Sequence, residues 1–239
     1  MRIKTLVFLD LKSTILPCQD NNKTHITEIC LVAIQSDHLT KKVLPRIQNK
    51  IKLCFDLENQ SNFDSTSYYL IQGFLSLQQK PICLVAYDEN KCNLSILKAE
   101  VSKMGRALSN DVLCVDSFEA FREFNDTVVQ TYKENLEPSG SSIADYIRNM
   151  KKTKSRKNQI KLVPPVTDAA KRRKLSEEPS PFSLVEFYTY LTKTNHVHVD
   201  GADSNLNMVI ECASIMGHQF VNWCNSNVSK FYDLPLVYI

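Results

Sequence analysis

The run from residue 5 to 11, Thr-Leu-Val-Phe-Leu-Asp-Leu, constrains the fold more than any other part of the chain. It is apolar at alternate and intervening positions alike. A strand made from it buries both faces, which fits a central strand of a sheet covered on two sides. It carries one acid, Asp10, and Lys12 follows two positions later. Residues i and i+2 of a strand share a face, so the carboxyl and the ammonium emerge on the same side.

Residues 28–34 read as a second strand and 51–55 as a third, with a polar turn at 17–25 opened by Pro17. These spacings are too short for helical crossovers, so the strands pair antiparallel. Strand–helix alternation follows. Residues 65–79 form a helix with Tyr69, Ile71, Phe74, Leu75 and Leu77 as its apolar side; 82–87 form a strand; 94–104 form a helix through Leu94, Leu97 and Val101. Residues 112–115 are a fifth strand, and 117–124 a helix with Asp116 near its start. After 182–188, again helical, comes a long helix at about 203–218. In it Leu206, Val209, Ile210, Ala213 and Met216 recur at three and four positions, and Asp203 suits its N-terminal end. The pattern predicts one mixed-sheet α/β domain over 1–239.

Residues 135–180 break that pattern. Gly140-Ser-Ser, Pro164-Pro165 and Ser176-Glu-Glu-Pro-Ser-Pro181 bracket a basic stretch, read as a flexible insertion with a short helix at 142–149. The net charge is +3, but residues 151–174 hold 10 Lys or Arg and one acid, Asp168, leaving 19 bases against 25 acids elsewhere. Lys151, Lys152, Lys154, Arg156 and Lys157 form one cluster, and Lys171, Arg172, Arg173 and Lys174 another, 13 residues on. The spacing resembles a bipartite nuclear-import signal and equally suits nonspecific contact with DNA or RNA phosphates. A solvated loop without a partner is the plain alternative.

Several classes fall away. With 5 glycines and no G-x-G-x-x-G or Walker pattern, a glycine-rich phosphate loop is excluded. No apolar run approaches 18 residues and no signal-peptide layout is present, so the expectation is a soluble protein of nucleus or cytoplasm with no membrane partner. The 8 cysteines lie mostly in apolar runs and none form a C-x-x-C pair. They read as buried free thiols rather than a zinc site or disulfide framework.

A two-metal phosphodiesterase needs converging carboxylates around ions about 4 Å apart and a base for the attacking water. A charged lysine has no lone pair for a metal, so Lys12 stands against that chemistry. His198 and Asp203 lie five apart at a loop-to-helix junction, a spacing that lets them converge; His196 has the same chemistry as His198. Each has a structural reading too: a strand-end Asp as a solvated turn residue, a His before a helix as a surface residue.

Phe8-Leu-Asp-Leu-Lys-Ser-Thr14, with Leu16-Pro17 beyond, resembles the first motif of the TREX-type 3′→5′ DNA exonucleases of the DnaQ-like (DEDDh) superfamily. Ile26-Thr-Glu-Ile-Cys-Leu-Val-Ala33 is similar to their second strand. Cys83-Leu-Val-Ala-Tyr87 with 94–100 resembles the region of the second motif, and Leu113-Cys-Val-Asp-Ser117 another strand. Ser183-Leu with Tyr188, then His198 and Asp203, is similar to the approach to the third motif.

The resemblance covers nearly all the chain except 135–180. It implies a ribonuclease H-like, DnaQ-like exonuclease fold with a mixed central sheet flanked by helices. It also implies a catalytic set of Asp10, His198 as general base and Asp203, with Asp10 and Asp203 as metal ligands. The two further acids of the family fall at Lys12 and Asn93, the degenerate positions. Tyr87-Asp88 stands where the family has His-Asn, and Asp88 offsets Asn93 only with local rearrangement. Lys12 shifts the site by roughly three charge units together with Asn93 and is expected to pair with Asp10 or Asp203.

Mg²⁺ or Mn²⁺ is the implied cofactor if the site is active, and none if it is not. A homodimer through an edge strand and a DNA-binding basic loop are also implied. The function expected is that of a catalytically impaired exonuclease-fold protein, a pseudoenzyme that binds DNA or RNA or scaffolds a protein complex. The alternatives are an active metal-dependent 3′→5′ exonuclease on single-stranded or frayed DNA, or RNA, with a remodelled site, and a protein-interaction module.

Overall fold

The described residues build one six-stranded sheet from β1 (Thr5–Leu16), β2 (Lys23–Gln35), β3 (Asn49–Cys54), β4 (Ile82–Ala86), β5 (Leu113–Asp116) and β6 (Ser229–Lys230). The structure, a computed structural model, describes residues 2–16, 23–43, 49–55, 63–88, 93–136, 183–192 and 202–235. Strand order is β3-β2-β1-β4-β5-β6. β1 is antiparallel to β2, and β2 to β3, whereas β4 runs parallel to both β1 and β5, and β6 is antiparallel to β5. This is the mixed-sheet α/β architecture of the ribonuclease H-like, DnaQ-like exonuclease fold.

The helices are α1 (Ser36–Thr40), α2 (Ser65–Ser76), α3 (Asn93–Lys103), α4 (Ser117–Leu136), α5 (Leu184–Thr192), α6 (Ala202–Met216) and α7 (His218–Asn227). The chain divides into two units, Met1–Phe121 with Leu184–Ile239, and Arg122–Ser183. The sheet belongs to the first. Of the second, the structure describes residues 122–136 within α4, and Ser183.

β1 is central because its sequence leaves no face for water. Val7, Leu9 and Leu11 join Ile29, Leu31 and Ala33 of β2 in a core closed by Ile71, Phe74 and Leu75 of α2 and Leu97 and Val101 of α3. Each such side chain contributes roughly 1.5–3 kcal/mol on burial. The opposite face of β1 carries Leu6 and Phe8, both fully buried. There Phe8 stacks on Phe220 of α7 at 6.2 Å, and Phe220 meets Phe121 at 5.7 Å. Phe121 in turn stacks on Phe187 of α5 at 5.1 Å.

α2 starts where Asp64 accepts hydrogen bonds from the Ser67 N–H and hydroxyl, both at 2.8 Å, an N-cap. Its core stripe is Tyr68, Ile71, Phe74 and Leu75. The expected apolar side is corrected at two positions: Tyr69 is 55% exposed, about 100° around the helix from Tyr68, and Leu77 is 83% exposed, just beyond the last helical residue Ser76. Arg106 lies over the Tyr69 ring at 5.5 Å instead. Asp116 caps α4 through the Phe118 N–H at 2.9 Å.

Two strands run longer than expected. β1 continues past Leu11 to Leu16 and β2 begins at Lys23, so 23–25 are strand rather than turn. α4 extends to Leu136. α7 and α1 had no counterpart in the sequence reading. α7 follows Gly217, whose φ of +59° and tight surroundings (an added Cβ would stand 3.0 Å from Lys42 Cε and 3.2 Å from the Leu39 carbonyl) favour glycine. Cys30, Cys83, Cys114, Cys212 and Cys224 are buried free thiols, whereas Cys54 is exposed. Among the described residues no helix is long and apolar enough to cross a membrane. The expected turn at 17–22 and helix at 142–149 lie outside the described residues.

Candidate active site

Alternation along β1 puts Asp10 on the same face as Leu6 and Phe8, the face on which α6 packs against β1 and β2. Asp10 is half-buried, and burial pushes its carboxyl up to about 7; the Leu11 N–H, the Lys12 charge and a hydrogen bond from Asn205 of α6 pull the other way, while Glu28 adds to the rise. Asn93, the first residue of α3, brings its Nδ2 to 3.4 Å from Asp10 Oδ1 and to 3.4 Å from the Tyr87 carbonyl. Both contacts are long. The first- and second-motif positions therefore converge, though through an amide rather than a second acid.

Lys12 stands directly opposite Glu28 in the β1–β2 ladder, and the register shifts immediately after it. The bulge carries the extra residue Thr27, whose hydroxyl donates to the Lys12 carbonyl at 3.3 Å. The expected pairing of Lys12 with Asp10 or Asp203 is corrected: among the described residues its ammonium makes no ion pair. Asp203 is taken by other cations.

Asp203 lies in the first turn of α6. Lys50 Nζ of β3 is 2.8 Å from its Oδ1, Lys52 Nζ is 3.2 Å from its Oδ2, and the Cys30 thiol of β2 donates to Oδ1 at 2.9 Å. Lys52 also reaches Glu28 Oε1 at 3.1 Å. Partial burial opposes the charge on Asp203, but the thiol and the two ammoniums outweigh it and hold the carboxyl down at about 2. Conversely, burial and the Asp203 charge push the Cys30 thiol up to about 12, so it stays a donor. Lys52 is held above the ordinary lysine value, first by Glu28 and then by Asp203.

Asp88 is buried, but its neighbour is Asp116 of β5: the Asp88 N–H donates to Asp116 Oδ1 at 3.1 Å. Burial raises Asp116 to about 6, with Asp88 adding to the rise. His196 and His198 lie outside the described residues, as do Lys151, Lys152, Lys154, Arg156, Lys157, Lys171, Arg172, Arg173 and Lys174.

Divalent magnesium and manganese take oxygen ligands. Among the described residues no group of three or more His, Cys, Asp or Glu is arranged to hold a metal ion. Asp10 meets the amide donors of Asn93 and Asn205, and the Asp203 oxygens carry two ammoniums and a thiol. So arranged, this donor-rich set does not fit a pair of divalent ions.

Sequence reasoning missed Lys50, Lys52, Cys30 and Asn205. A signal for two of them existed: Lys50 and Lys52 are i and i+2 of a strand, hence on one face. Their partner Asp203 lies about 150 positions away, which no local pattern shows.

No protein-family model matches the chain. Among curated proteins it is similar to three-prime repair exonuclease 1 of Bos taurus, 30% identical over 173 residues, covering 59% of this chain and 50% of that protein. It is similar also to three prime repair exonuclease 2 of Mus musculus, 31% identical over 150 residues, covering 51% of this chain and 62% of that one. The protein of the same name from Homo sapiens is likewise 31% identical over 150 residues, with the same coverage. The chain thus spans between half and two thirds of the length of these relatives. This homology, joined to the sheet topology, relates the chain to the DnaQ-like (DEDDh) exonuclease superfamily.

Proposed function

We propose that this protein is a catalytically impaired member of the exonuclease fold that binds nucleic acid without degrading it efficiently. The observation that supports this most is the chemistry around Asp10. An amide at Asn93 and an ammonium at Lys12 stand where a two-metal nuclease needs anions. Loss of a bridging carboxylate removes both a ligand and the charge that offsets the ions. The basic residues of 151–174 would supply sequence-independent phosphate contacts, with affinity falling steeply as salt rises. Homology to named exonucleases makes nucleic acid the natural ligand class.

End-labelled single-stranded DNA and RNA, incubated with purified protein and Mn²⁺, test this directly. The expected result is retardation at low salt with no shortening of the label. A second reading, an active metal-dependent 3′→5′ exonuclease with a remodelled site, draws on the retention of Asp10 and Asp203. Shortening that disappears in the His198→Ala variant would establish that second reading and sink the first. A Lys12→Glu, Asn93→Asp double variant is expected to take up Mn²⁺ more tightly than the natural protein by calorimetry.

A further inference from the structure

We infer that Lys52 is a positioning residue, a built-in cation that joins the first turn of α6 to β2. The inference rests on the metal-poor reading of the site proposed above and goes beyond it, because Lys52 belongs to none of the motif positions.

Lys52 Nζ lies between two carboxylates from different elements, 3.1 Å from Glu28 Oε1 and 3.2 Å from Asp203 Oδ2. A point charge bridging two carboxylates is the arrangement a divalent ion makes, here supplied by an ammonium with three donors. The ladder sets the geometry. Glu28 is opposite Lys12 of β1, and Cys30 is opposite both Asp10 of β1 and Lys52 of β3. Lys52, Cys30 and Asp10 thus form one row across the sheet, with Asp203 above its outer end, bonded to the Cys30 thiol at 2.9 Å. Lys50, two residues back on the same face, contacts Asp203 at 2.8 Å. Among the described residues only Lys52 joins both acids. Helix α6 also supplies the Asn205 side chain to Asp10, so an anchored first turn sets the surroundings of Asp10 as well.

The test is amide hydrogen exchange over residues 203–207, with and without millimolar Mn²⁺, in the full chain and in Lys52→Met, Lys52→Arg and Lys50→Met variants. In the natural protein Mn²⁺ is expected to change nothing. In Lys52→Met these amides are expected to exchange on the order of two- to five-fold faster and to recover when Mn²⁺ fills the space between Glu28 and Asp203. Lys52→Arg keeps the protection. Lys50→Met loses less and does not respond to Mn²⁺, because Lys52 still bridges. Unchanged exchange in Lys52→Met, no recovery with Mn²⁺, or the same response in Lys50→Met overturns the inference while leaving the impaired-site reading intact. Protection of the natural protein by Mn²⁺ overturns that reading itself, and with it the role given to Lys52.

Discussion

Replacing Asp10 by Asn is expected to stabilise the fold above pH 7 and to change little at pH 4. The carboxyl moves from 3.8 to about 7 on folding, mainly through burial, which corresponds to about 4 kcal/mol of preference for its neutral form. The sign follows from proton counting. Below about pH 3.9 both the folded and the unfolded chain hold the proton, so the group is neutral in its effect. Between there and pH 7 the folded chain holds more protons than the unfolded one, and stability falls as pH rises. Above pH 7 both states are ionised and the whole penalty is present. Asn removes the titration while keeping the shape. The opposing pull of the Leu11 N–H and the Lys12 charge is already contained in the rise to about 7, so the gain at pH 8 should be about 4 kcal/mol. Urea unfolding of both proteins at pH 4 and pH 8 measures it: the difference in stability between variant and natural protein should widen by that amount across the interval. The same difference at both pH values would refute a buried, proton-binding Asp10.

Three further perturbations test the frame around the site. Asp64→Ala removes both Ser67 contacts at the start of α2 and should cost about 1 kcal/mol in urea unfolding. Gly217→Ala puts a Cβ at positive φ against Lys42 and the Leu39 carbonyl; thermal unfolding should show a loss of roughly 1–3 kcal/mol. Phe8→Ala empties the position that stacks on Phe220 and should cost about 3–5 kcal/mol, with near-ultraviolet dichroism reporting the loosened aromatic cluster.

The fold was readable because its main signals are local. The two-sided apolar run of β1 declares a central strand. The short spacing from β1 to β3 forces antiparallel pairing, and the stripe at Leu206, Val209, Ile210, Ala213 and Met216 becomes the buried face of α6. The errors arose where tertiary context decides. Tyr69 and Leu77 are apolar enough to be assigned inward, but helix phase turns Tyr69 to solvent and Leu77 lies beyond the end of α2. The apolar stripe of α6 stops at Met216, and α7 restarts directly after the turn at Gly217 with a pattern of its own that the sequence did not reveal.

The site was legible along β1, where Asp10 and Lys12 are two residues apart, and less so across strands. Nothing in the sequence near Asp203 points to Lys50 and Lys52, and nothing near Lys12 shows that Glu28 is its ladder partner. Ladder register and helix docking create those neighbours.

That register bears on how an altered site of this kind holds together. Among the described residues, Asp10, Glu28 and Asp203 are the carboxylates gathered on this face and Lys12, Lys50 and Lys52 the ammoniums. Fully ionised, the six balance. Two divalent ions bring a charge of +4 into about 4 Å, and at an effective dielectric near 20 each pair of unit charges at that distance interacts by about 4 kcal/mol. A balanced set supplies no net attraction to offset this, whereas a set with Lys12 as an acid and Asn93 as an acid would carry three more negative charges. Glu28 and Asp203, both partly buried, meet lysines of β3, whereas Asp10 makes no ion pair with a lysine among the described residues and burial drives it toward its neutral form. A Lys12→Glu substitution alone therefore adds an acid facing Glu28 across the ladder, and the like charges would weaken the strand pair before any metal arrived.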